Sequence, residues 1–146
     1  MMLFNKRSIN NDKYLKNLFD SCNHIYFNDT LIPIPVYFID NSAVNGYFKF
    51  DVDYEHKLLK NPRIEISSRL KTFIAQEKTM IHEMAHYKQF MDLSSNEINS
   101  AFKAYNMGNT DKFYKILSIN EYSHNETWKN IIESINNKYN LNILIE

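Results

Sequence analysis

The chain has 146 residues, of which 44% are hydrophobic and 23% charged, with 17 basic and 17 acidic side chains. Those values suit one domain over 1–146, large enough to bury a core, and they speak against a protein that lives on bulk attraction to nucleic acid. One cysteine, Cys22, excludes an intrachain disulfide and a four-cysteine zinc module, which suits a reducing compartment. The opening MMLFNKRSINNDKY reads as no signal peptide, and no apolar run approaches the ~20 residues of a membrane span, so the expectation is a cytoplasmic protein with no membrane partner.

Taken in chain order, Asn10–Asn28 predicts a helix, because Leu15, Leu18, Phe19, Cys22, Ile25 and Tyr26 recur at three and four. LIPIPVYFID follows. Pro33 and Pro35 block helix, and Val36 to Ile39 favour a strand at a sheet edge. Asn41–Ser42 reads as a turn, Val44–Asp51 as a second strand and DYEHKLLKNP as a connector. RIEISS alternates Ile64 and Ile66 with polar neighbours and predicts a short half-buried strand. Arg69 to Asp92 is helical, with Phe73, Ile74, Ile81, Met84 and Ala85 as its buried side. Ser94 or Ser95 caps a further helix that ends near Gly108. Thr110–Ile119 predicts a short helix, and SHNETWKNIIESINNKYN a last one with Trp128, Ile131, Ile132 and Ile135 on one face. The tail LNILI reads as a strand or a packed extended end. With only Gly46 and Gly108 available, Asn is expected to fill left-handed turn positions. Helix, clustered strands, then helices predicts an α+β fold with one small three-stranded sheet.

The informative stretch is TMIHEMAHYKQF, Thr79 to Phe90. His82 and His86 stand at i, i+4, so on a helix their Cβ atoms lie about 6 Å apart on one face, a spacing that lets both imidazoles reach one Zn²⁺. Glu83, about 100° round the helix, can reach the side of such a site as a general base without ligating the ion. The competing reading is a solvated helix face with two incidental histidines. Catalytic zinc takes three protein ligands and keeps a position for water, so a third donor is required. His24 lies on the first predicted helix and His56 in a charged connector. Cys22 falls on an apolar stripe and reads as a buried small hydrophobe. Glu97 reads as first-turn helix charge, and Glu121 and Glu126 remain as carboxylate alternatives. His124, in EYSHNETWKNII at the start of the last predicted helix, is placed ahead of them, because a ligand at a helix start is backed by a rigid element. Trp128, four residues on, would wall the site.

On these residues the chain resembles the SprT-like (Spartan-related) family of zinc metallopeptidases. The resemblance runs from about Tyr14 to Asn137. It rests on FNDTLIPIPVYFID, SAVNGYFKF, RIEISSRL, TMIHEMAHYKQF and the downstream HNETWKNIIESI. It implies a zincin-like fold with an HExxH active-site helix, Zn²⁺ as cofactor, His82, His86 and His124 as ligands, Glu83 as base, and hydrolysis of peptide bonds in protein substrates. Nucleic acid as a partner is implied by the resemblance alone. Two departures stand out. Asn125 replaces the family's Gly after the third histidine, and the zinc ribbon of many bacterial members has no cysteines to build it.

Two other readings share the motif. A gluzincin-type regulatory metallopeptidase that cleaves a repressor would use a downstream Glu as third ligand. A zinc-braced binding module would close the coordination sphere with a fourth protein donor. Tyr47 and Tyr87 are candidate substrate contacts, but in a chain with ten tyrosines they read first as core or surface aromatics. The Val44–Phe50 edge is a candidate for holding an extended peptide.

Overall fold

Leu15, Leu18, Phe19 and Cys22 recur at helical spacing, and in the computed structural model, which describes residues 2–145 with side chains from residue 12 onward, they are the buried face of α1 (Met2–Tyr26). The helix begins before the Asn10 read from the sequence. Ile25 is exposed, and Phe27 and Leu31 continue the buried surface instead. The chain turns there because Asn28 and Asp29 both adopt left-handed backbone. The buried Asn23 side chain clamps the turn, donating to the Leu31 carbonyl at 2.8 Å and accepting from the Leu31 N–H at 3.1 Å.

Three strands follow: β1 (Val36–Ile39), β2 (Gly46–Asp53) and β3 (Leu58–Ser67), in the sheet order β1-β3-β2. β1 is shorter than its apolar run, since Pro33 and Pro35 offer no N–H to a ladder. It lies at an edge, as the prolines predict, and pairs parallel with β3 from Val36↔Ile64 to Ile39↔Ser67. The expected connector DYEHKLLKNP is corrected: only 54–57 turn, and Leu58 to Pro62 belong to β3. Two features make that turn tight. The Asp53 carboxylate accepts the His56 N–H at 3.0 Å, and Lys57 takes a left-handed backbone with φ 55. The His56 N–H and ring, with Lys60 beside them, hold the Asp53 carboxyl down at about 2. Pro62 is tolerated in the central strand because the β1 register starts only at Ile64.

α2 (Phe73–Met91) starts later than Arg69. Thr72 caps it, accepting the Ala75 N–H at 3.1 Å. Met80, Ile81, Met84, Ala85 and Tyr87 form its buried side, whereas Phe73 and Ile74, expected there, are exposed at 55% and 63%. They occupy the first turn, ahead of the part of the helix that is covered. α3 (Ser95–Asn106) is capped by Ser94 in a reciprocal box with Glu97. After its end Gly108 takes φ 80. α4 (Thr110–Leu117) stops at Ser118 in left-handed backbone, and a single 3₁₀ turn over Asn120–Tyr122 leads to α5 (Glu126–Tyr139), capped by Asn125. Residues 141–145 form neither helix nor strand. Ile143 is buried and held by the Asn136 side chain, which donates to its carbonyl and accepts its N–H, both at 2.9 Å. Among the left-handed non-glycine positions, Asn28, Asn61, Asn120 and Asn140 do the work that glycine would do in a chain richer in it.

The chain divides into two compact units. One takes Met1–Lys49 and Pro62–Met84, the other Phe50–Asn61 and Ala85–Glu146, so β2, β3 and α2 each contribute to both. In the first, Leu15, Leu18, Phe19, Ile64, Ile66, Met80 and Ile81 are buried. In the second, Ala101, Phe102, Phe113 and Leu117 cluster with Val52, Leu59, Tyr105 and Ile119. Among the described residues no helix is long and apolar enough to cross a membrane.

Cys22 is 1% exposed, and burial, then the nearby Glu77 charge, push its thiol from 9.0 up to about 12. The neutral thiol is the form the fold accepts. Its contribution is therefore full below the unfolded value and is lost as pH rises from about 9 towards 12. Urea unfolding is expected to show wild type losing stability relative to Cys22→Ala by roughly 1 kcal/mol per pH unit above pH 9. A difference that stays flat with pH would show that the thiol is not desolvated.

Candidate metal centre

α2 supplies two of the candidate ligands by simple helical geometry, with His82 and His86 one turn apart on the same side. The third comes from the segment between the 3₁₀ turn and α5. Asn125, extended at φ −80 and ψ −179, accepts the Trp128 N–H through its side chain and so starts α5 immediately after His124. One ligand-capable atom from each of His82, His86 and His124 lies within 4.8 Å of the others. All three histidines are half-buried, which keeps lone pairs within reach of an ion while restricting side-chain motion.

Trp128 is fully buried and backs two of the rings. It stacks on His86 at 5.1 Å and 12°, and its ring lies tilted against His124 at 4.4 Å and 41°. The His86 and His124 rings are 5.0 Å apart, centre to centre. An indole in that position holds both imidazoles by shape and excludes water from their rear faces.

Glu83 is 5% exposed, and one carboxylate oxygen lies 3.8 Å from His82 Nε2. Burial pushes its carboxyl up to about 8, opposed by the hydrogen bond donated from the Phe48 backbone N–H. A divalent cation at the imidazoles would favour the ionised form and bring the value down again. The carboxyl thus sits in a setting where a proton can be taken up and given back near neutrality.

Gly46 explains how β2 comes close enough for that contact. A Cβ at this position would lie 2.7 Å from the Glu65 carbonyl oxygen, 2.9 Å from Thr79 Cγ2 and 3.5 Å from Glu83 Cγ. The first of these is backbone in the neighbouring strand and cannot rotate away. Gly46→Ala is expected to destabilise the protein by about 1–3 kcal/mol, read as a lower denaturant midpoint at unchanged m-value. An unchanged midpoint would mean that β2 has room to spare.

The other candidates lie elsewhere. Cys22 is core. His24 pairs with Asp29 at 2.8 Å and His56 with Asp53 at 2.9 Å. Glu97 is committed to the α3 cap, Glu121 sits exposed in the 3₁₀ turn, and Glu126 is exposed in the first turn of α5. Tyr87 is buried at 3%, and Tyr47 lies under Lys49 at 4.6 Å. Tyr87 therefore takes the core role that the sequence suggests first, and Tyr47 is half-buried. Gln89 escaped the sequence reading, and Asn125 entered it without a structural role. Gln89 is buried and reaches both His86 and Asn125, and Asn125 is itself the α5 cap. The available signal was spacing: Gln89 stands at i+3 from His86, on the same helix face.

Compared with protein-family models, curated proteins and solved structures, the chain matches none of them.

Proposed function

We propose that this chain is a zinc-dependent peptidase of SprT-like type, with a zincin-like fold, that hydrolyses peptide bonds of protein substrates. The observation that carries the reading is the convergence of His82, His86 and His124 beside the buried carboxyl of Glu83. Three imidazole donors suit Zn²⁺. Among the described residues the cluster includes no fourth His, Cys, Asp or Glu, which favours a catalytic centre over a zinc brace. A third donor that is histidine, with Glu121 and Glu126 elsewhere, favours the SprT-like plan over a gluzincin-type one. The buried lone cysteine fits a cytoplasmic setting.

Zinc, when bound, supplies a Lewis acid that polarises the scissile carbonyl and acidifies a water. The chain supplies the rest. Glu83 accepts a proton from the attacking water and passes it to the leaving amine, a shuttle that its burial and single backbone hydrogen bond leave free to run in both directions. Trp128 keeps His86 and His124 from rotating away. β2, at a sheet edge beside Glu83, is the candidate rail for an extended substrate.

The test is metal content together with proteolysis. Purified protein is expected to carry about one zinc per chain. It should cleave an unfolded protein substrate, lose that activity to a chelator and regain it with Zn²⁺. Protein that neither retains nor takes up zinc would overturn the reading.

A further inference from the structure

Gln89 is a polar side chain only 8% exposed, one turn beyond the second histidine of α2, and the mechanism above makes no use of it. Its two amide atoms make different contacts. Nε2 donates to Asn125 Oδ1 at 2.6 Å, and Oε1 lies 3.4 Å from His86 Nδ1. Asn125 is in turn tied on both sides. Its Oδ1 also accepts the Trp128 backbone N–H at 3.1 Å, and its Nδ2 donates to Ser118 Oγ at 3.0 Å.

The direction of this chain of bonds is not arbitrary. A backbone N–H can only donate, so the Asn125 atom facing Trp128 must be its oxygen. That oxygen then requires a donor from Gln89, which must be the NH₂ group. The Gln89 oxygen is thereby turned towards His86, where it can only accept. For that contact to be a hydrogen bond, Nδ1 of His86 must carry the proton, and in the neutral ring Nε2 then keeps its lone pair. A cation on Nε2 would make Nδ1–H a stronger donor and tighten the 3.4 Å contact.

We infer that Gln89 is a positioning residue that transmits the polarity of the α5 cap to His86, presetting the tautomer that presents Nε2 to the metal and tying that ligand to the residue next to His124. The inference rests on the metal-centre reading for its purpose, but its physical content holds without a metal. It also gives the Asn at position 125 a role that the Gly of the resembled family could not fill, because glycine has no side-chain oxygen to accept from Trp128 and Gln89 together.

Two measurements test it. In metal-free wild type at about pH 8.5, above the ordinary imidazole value, long-range ¹H–¹⁵N NMR is expected to show His86 protonated on Nδ1. Protonation on Nε2 would overturn the inference. In competition with a chromophoric chelator, Gln89→Leu is expected to bind Zn²⁺ about 10–100-fold more weakly than wild type. Asn125→Gly should also weaken binding, and because Asn125 caps α5 beside His124 as well, the double variant should lose more than Gln89→Leu alone but less than the sum of the two single losses. Asn125→Asp keeps an acceptor for both donors and should restore binding close to wild type. Zinc affinity in Gln89→Leu equal to wild type, or losses that simply add in the double variant, would overturn the bridge. A wild type that binds no zinc would overturn the metal-centre reading instead, and the tautomer would still decide the bridge. Should Gln89→Leu fail to fold, wild-type NMR and the Asn125 pair carry the decision.

Discussion

Glu83→Gln is expected to retain zinc at the wild-type stoichiometry and to lose peptidase activity by about 10²–10⁴-fold. The substitution preserves shape. The amide oxygen can still accept the Phe48 N–H that the carboxylate accepts now, and it needs no ionised form in a site only 5% exposed. Removing a buried carboxyl whose burial already disfavours its charge should leave stability the same or slightly higher. What is lost is the capacity to take a proton. The effect should therefore fall on kcat with little change in KM, because the interaction is used only in the transition state. A Gln variant that cleaves at the wild-type rate would remove Glu83 from the chemistry. A variant that loses zinc would make it a ligand.

The second large effect is at the third histidine. His124→Ala is expected to lower zinc affinity more than about 100-fold, beyond what loss of a supporting contact costs, and to abolish activity with it. Glu121→Ala and Glu126→Ala are the controls and should bind zinc as wild type does, since both side chains are exposed on other turns. Packing complicates the first measurement, because the His124 ring lies 4.4 Å from Trp128 and its removal leaves a gap on one face of the indole. His124→Gln fills much of that gap without an imidazole nitrogen, so it should keep the fold and still bind zinc weakly. Zinc retained in His124→Ala but lost in Glu121→Ala would shift the assignment to the gluzincin plan.

The helices were legible because their signals are local. The Ser94–Glu97 first turn and the stripe through Leu15, Leu18, Phe19 and Cys22 each lie within a few residues of one another. Where the reading slipped, the deciding contact was distant or the local cue was ambiguous. Phe73 and Ile74 fit the apolar face of α2 by period, yet the first turn is left uncovered. Leu58 to Pro62 looked like a connector because Lys and Asn break the strand alternation. They are strand because β2 lies alongside, joined through a turn that Asp53 and Lys57 close. Gly46 carries no mark in the sequence beyond its scarcity, and its role appears only when the Glu65 carbonyl is seen behind it.

The same division runs through the site. By itself the sequence determined that His82 and His86 share one face of a helix with Glu83 beside them, since a period of 3.6 residues leaves no freedom in that relation. It also determined that no cysteine set could hold a metal. Tertiary structure alone decided which of several downstream donors joins them, how deeply Glu83 is buried, and that an amide pair links α2 to the cap of α5. Those relations depend on how segments distant in the chain pack, which is set by the summed burial of many side chains and not by the residues of any single motif.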